Sequence, residues 1–238
     1  MMESEPGPHA TPTQAEERGA ALSLLPIAAT LDFYALPASL QEQTLVQLLP
    51  QIVAYLSLGL WATLNQTIVA RMGLGPCGLR AGLRWGALTG LVLGSFNTLI
   101  MLSVVPHLGY DITFLKATPH AKLPVILMIP WFICGIALFV EVNFRGFILG
   151  RLLVWGRQLL GPKVSPLVGT IAVGISAITF TFDPFMVNTF QHLHWIALGD
   201  GLIWGIIWLK TKNLYVTIVA HAVEVMVMYG ALRATLMP

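Results

Sequence analysis

The run from Leu123 to Gly150 constrains this chain more than any other stretch, because it is long, largely apolar and free of charge except for Glu141 and Arg145. A stretch of this length reads as a membrane crossing. Removing an ionised group from water is costly, so charged side chains at that depth are rare and usually functional. The acid precedes the base by four residues, so a helix places both on one face, where they can pair. A purely structural ion pair that fixes helix packing is the competing reading.

The rest of the chain agrees with a membrane setting. Of its 238 residues, 56% are hydrophobic and only 10% charged, with a mean hydropathy of +0.76. Soluble domains carry about 25% charged residues. The expected fold class is therefore all-α, a polytopic transmembrane helix bundle. A net charge of +2 and the lack of a basic run with interleaved aromatics argue against nucleic acid as a partner. Cys77 and Cys134 are too isolated for a disulfide framework or a CxxC metal site. The chain has no P-loop, dinucleotide fingerprint or nucleophile elbow, which argues against ATP- or NAD-driven chemistry.

Residues 1–19 are polar, with Pro6, Pro8 and Pro12 and the acids Glu3, Glu5, Glu16 and Glu17, and are expected to be a disordered tail. Residues 20–238 form one membrane domain. Ala20 to Leu40 is apolar but holds Asp32, Pro26 and Pro37, and its pattern fits either an interfacial helix or a kinked first span. Six clearer spans follow: about Leu45 to Ala70, Trp85 to Val105, Leu123 to Trp155, Pro166 to Phe182, Trp195 to Leu209, and Leu214 to Leu232. The third is too long for one straight crossing, and Pro130 is a candidate bend. Basic residues gather on the loops holding Arg71, Arg80 and Arg84, then Arg151, Arg157 and Lys163, then Lys210 and Lys212. The positive-inside rule makes those loops cytoplasmic, and the expected location is a bacterial inner (plasma) membrane.

Counting from those loops at ~1.5 Å per residue puts Glu141 and Asp200 roughly 15 Å deep and His221 roughly 12 Å deep. Glu224 follows His221 by three residues and shares its face. Four ionisable groups at one level read as a buried polar chamber, expected to be wet and open to the cytoplasmic side.

The motifs around these residues resemble the CPBP family (CAAX proteases and bacteriocin-processing enzymes, or Abi), which are intramembrane proteases. Glu141-Val142-Asn143-Phe144-Arg145-Gly146 is similar to the family's E-E-x-x-F-R-G. Ile175 to Phe180 is similar to the approach to its F-x-x-x-H, and Gly201 to Gly205, Leu209-Lys210-Thr211 and Ile218 to Ala222 to its closing elements. The family-like core covers about residues 122–232. The resemblance implies an endopeptidase in which a glutamate and histidines activate water, with an asparagine assisting the oxyanion. Glu141, Arg145 and His221 are the catalytic candidates it implies, with Glu141 as the base or its remnant, Arg145 as its orienter, and His221 as a water-binding or oxyanion group. Three family positions depart from the pattern: the first glutamate is Val140, the histidine falls on Pro184, and the asparagine is Val225.

Valine and proline can neither take a proton nor bind a metal, so Asp200, Glu224 and Asp183 become candidate substitutes. Whether the chain is an active enzyme stays open at this level. It reads as an endopeptidase acting on a membrane-embedded or prenylated peptide, or as an inactive relative serving as a membrane scaffold, peptide-binding or self-immunity protein. A small-solute transporter is the third reading, and it lacks the inverted repeats that would favour it. No cofactor is implied with certainty; a divalent metal such as zinc is open, with His221 its candidate ligand. His192-x-His194, with Asp183 upstream, has metal-ligand composition but reads better as an interface loop beside Trp195. Membrane lipid is the one sure partner, and the oligomeric state is open.

Overall fold

A computed structural model describes residues 17–118, 123–130 and 135–236, and among them there are helices but no strands. The main helices are α1 (Leu24–Ala35), α2 (Leu49–Leu64), α3 (Leu79–Leu99), α4 (Leu138–Glu141), α5 (Gly150–Leu160), α6 (Ser165–Thr181), α7 (Pro184–Phe190), α8 (Ile196–Thr211) and α9 (Leu214–Leu236). Prolines open α2, α6 and α7, where the missing N–H costs no intrahelical bond. The expected all-α membrane bundle is what the chain forms. Cys134 and His120 lie outside the described residues.

The number of crossings differs from the expected six. Among the described residues, three helices are long and apolar enough to span a bilayer: Ile68–His107, Val125–Leu160 and Leu214–Leu236. A fourth arises if Ser165–Thr181 and Pro184–Leu193, bent by 55°, count as one span. The span expected around Leu45 to Ala70 holds a helical turn, Thr44–Gln47, that runs into α2 through Leu48 N to Thr44 O at 3.2 Å and Ile52 N to Leu48 O at 3.0 Å. The span expected around Trp195 to Leu209 is the 16-residue α8, which at ~1.5 Å per residue reaches only about 24 Å, short of a ~30 Å hydrocarbon core. Asn65 ends α2 by turning its amide back onto Trp61 O, at 2.8 Å.

The N-terminal apolar segment lies alongside α2, not across the end of the bundle. Gly19 sits against Leu64, while at the other end of α1 the Tyr34 hydroxyl donates to Phe182 O at 2.8 Å. The last residues of the expected tail belong to the folded body. Glu17 is buried, accepts from Arg71 NH1 and Trp61 Nε1 at 3.1 Å each, and forms an ion pair with Arg151, whose Nε lies 2.7 Å from Oε1. A buried carboxylate needs such partners, and here it ties three helical segments together.

The basic loops meet at this same end. Leu214 N donates to Gly73 O at 2.9 Å, and Asn213 Nδ2 to Gly78 O at 2.8 Å. Lys212 keeps solvent contact but rests its Nζ 4.3 Å from the Trp208 ring centroid. This partial burial, then the charges of Arg157 and Arg151, push its ammonium down to about 8. Cysteines placed at Arg80, Arg157 and Lys212 are therefore expected to label from one side of the membrane. Labelling of the Arg157 and Lys212 positions from opposite sides would contradict this arrangement.

One packing device positions the site. Gly82, Gly86, Gly90 and Gly94 recur every four residues of α3 and form a stripe along α9. A methyl group at Gly90 would lie 2.5 Å from Ala220 O, and one at Gly94 3.0 Å from Glu224 Cα. Small residues let helix backbones approach closely, which replaces the missing hydrophobic drive in lipid. The stripe presses α3 against the half of α9 that carries His221 and Glu224. Gly201 and Gly205 do the same for α8 against Ala177 and Val173 of α6, as the GxxxG spacing predicts.

Candidate active site

Glu141 is the last residue of α4, and the chain continues as a π-helix over Val142–Leu149. Such wide turns concentrate at functional positions, because they leave backbone groups unpaired for other uses. Ser176 of α6 takes up one of them, donating its hydroxyl to Phe144 O at 2.8 Å. The segment is thereby pinned to α6, with Glu141 fully buried and Arg145 1% exposed.

The predicted pairing of Glu141 with Arg145 is present, with Arg145 NH1 donating to Glu141 Oε1 at 3.1 Å. The same oxygen lies 3.0 Å from His221 Nδ1 on α9. A carboxylate can only accept, so Nδ1 carries the hydrogen, and in a neutral imidazole Nε2 is then the acceptor. The ring is fixed by stacking on Trp204, at 4.6 Å between centroids and 24° between planes, and by the edge of Phe180 at 6.4 Å. The Arg145 guanidinium lies 4.7 Å from the Phe180 ring centroid and 5.0 Å from that of Trp204.

Asp200 and Glu224 form an adjoining cluster around a residue that sequence reasoning missed. Asn97 of α3 donates its Nδ2 to Asp200 Oδ1 at 2.9 Å and to Glu224 Oε1 at 2.7 Å. Its signal was in the sequence: an amide within an apolar span, three residues beyond Gly94 and so on the face of the glycine stripe.

A cavity of about 540 Å³ reaches this level. Asp200, Trp204, His221 and Glu224 are in its wall, together with Val140 and Val225. Glu141 is not; it stands behind His221. The wall continues to Leu115, Leu193 and Arg233, and sideways to Gln51 and Tyr55. It also takes in Leu232 and Leu236 near the end of α9, and Arg80, Arg157 and Lys212 are not part of it.

Asp183 also borders the cavity, but its carboxylate serves the backbone. It caps α7 by accepting from Phe185 N and takes a second bond from Gln51 Nε2, each at 3.0 Å. His192 stacks on Tyr110 and meets Phe114 edge-on, and His194 Nδ1 lies 2.6 Å from Gln191 O. Among the described residues, no three His, Cys, Asp or Glu side chains are grouped to hold a metal ion, around His221 or elsewhere. The described side chains do not fit a zinc site.

Residues 122–227 match the sequence model of a family described as type II CAAX prenyl endopeptidase, Rce1-like. The matched segment contains the Glu141–Arg145–His221 group, Asp200 and Glu224, but not Asn97. No curated protein and no solved structure matches the chain.

Proposed function

We propose that the chain is, through residues 122–227, a member of the CPBP/CAAX-protease family and carries a water-activating site. The chain is an integral membrane protein, and the reaction is cleavage of a peptide bond in a membrane-embedded or prenylated peptide. The bacterial inner membrane is the proposed location. The observation that carries the reading is the 3.0 Å contact of Glu141 Oε1 with His221 Nδ1, with His221 in the cavity wall and Glu141 behind it.

Glu141 is then not the base but the group that orients it. It holds Nδ1–H, leaves Nε2 free, and stabilises the imidazolium as it forms. His221 Nε2 takes a proton from a cavity water as the oxygen attacks the scissile carbonyl, and returns it to the leaving amine. Arg145 holds the Glu141 carboxylate in place through NH1. His221→Ala and Glu141→Gln should each lower cleavage of a membrane peptide by ~10²–10⁴-fold while leaving a folded protein. Cleavage by the purified Glu141→Gln protein at the wild-type rate would remove this reading.

One observation favours a second reading. Val140, Pro184 and Val225 stand where the family has proton-transfer or oxyanion groups, and Val140 and Val225 line the cavity. A chain that binds membrane peptides without cutting them would show no cleavage by wild type and unaltered peptide binding by Glu141→Gln.

A further inference from the structure

The proposed chemistry uses His221, Glu141 and Arg145, and leaves the Asp200–Glu224 pair without a task. The pair is not in the cavity wall by accident of packing. Two carboxyls, 8% and 2% exposed, share one amide donor, Asn97 Nδ2. That single donor satisfies Asp200 Oδ1 and Glu224 Oε1. Glu224 Oε2 has no donor of its own, and its carboxyl neighbour offers another acceptor unless a proton lies between them. Trp204 Nε1 is a second buried polar atom without a partner in the same wall. Elsewhere the wall is mostly apolar, with Met101, Phe190, Ile196 and Met228 among its members.

An unmatched carboxylate in an apolar cavity is costly, and the cost is removed by a cation that brings its own hydrogens. An ammonium is such a group, with three donors and no acceptor. A guanidinium is larger and needs a planar fork of acceptors, whereas the oxygens here converge from α8 and α9 around one amide.

We propose that the Asp200–Asn97–Glu224 cluster is a specificity subsite that takes the ammonium of a lysine side chain in an otherwise apolar membrane peptide. This rests on the reading of the cavity as a peptide site, but not on cleavage. A lysine within a membrane segment is itself poorly accommodated by lipid, so transfer to the cluster favours binding on both sides of the exchange. Norleucine, which keeps the chain and loses the charge, gains nothing from the acids. Discrimination of this kind comes from leaving buried polar groups unpaired with the wrong ligand.

The test uses the purified full chain in nanodiscs and a labelled transmembrane peptide of leucine and alanine with one central lysine, against the same peptide with norleucine. The lysine peptide should bind at least ~10-fold more tightly, the scale of one good charge-assisted contact. Glu224→Gln keeps an acceptor for Asn97 and should erase the preference without changing norleucine binding. His221→Ala should retain it. Equal affinity for the two peptides, or an unchanged preference in both Glu224→Gln and Asp200→Asn, overturns the proposal. Lysine preference without cleavage would defeat the protease reading alone, and cleavage without lysine preference would defeat the subsite alone.

Discussion

Gly90→Leu should eliminate the folded protein from membranes, while Gly59→Leu should leave its yield near wild type. Both glycines lie inside helices, α2 and α3, so the same substitution changes helix propensity alike. Their surroundings differ. A methyl at Gly59 meets nothing within 4 Å, whereas a methyl at Gly90 meets Ala220 O at 2.5 Å and Val223 Cβ at 2.8 Å. Overpacking of this kind costs ~1–3 kcal/mol when side chains can yield, and more when backbone must move. Even Gly90→Ala should lower the yield, since the first obstacle is a backbone carbonyl. The measurement is the monodisperse fraction after detergent extraction. Comparable yields for the Gly90 and Gly59 variants would mean that α3 does not press on α9, and the contacts of Asn97 with Asp200 and Glu224 would lose their support.

Arg145→Ala is expected to be nearly as damaging, and the reason is Glu141. Both groups are buried to within 1% of complete, so removing the guanidinium leaves a carboxylate held only by uncharged partners, His221 and Thr217. Breaking a buried pair by deleting one member costs ~3–5 kcal/mol, far more than the pair itself contributes. Arg145→Lys keeps the charge but loses the flat surface that packs between Phe180 and Trp204, and should fall between. Adding Glu141→Gln to Arg145→Ala should restore much of the folded yield, since the stranded charge is then gone. Equal yields for Arg145→Ala, Arg145→Lys and wild type would show that the pair is not buried. A double variant no better than the single one would show that Arg145 acts through packing alone.

What could be read before folding was local. The apolar runs and sparse charge determined a helical membrane protein. The four-residue spacing of Glu141 and Arg145 determined their pairing, because a helix or a π turn keeps such neighbours on one face. Depth counting from the basic loops brought Glu141, Asp200, His221 and Glu224 to one level, as hydrocarbon thickness converts residue number into position.

Everything lateral was decided by tertiary structure. Residue counting gives height in a membrane but not azimuth, so it could not tell that Glu141 stands behind His221 while Asp200 and Glu224 face the cavity. It could not show that Asn97 joins the two acids, although the Gly82-to-Gly94 stripe already marked the face of α3 that meets α9. Asp183 read as a substitute for the missing histidine, and the bend between α6 and α7 turned it into a helix cap. Nor could counting place Glu17 among Arg71, Arg151 and Trp61, for the polarity that suggested a loose tail is equally the polarity of a buried, fully partnered carboxylate. Composition sets which environment a segment prefers, but which partner satisfies a buried charge is settled only when the helices pack.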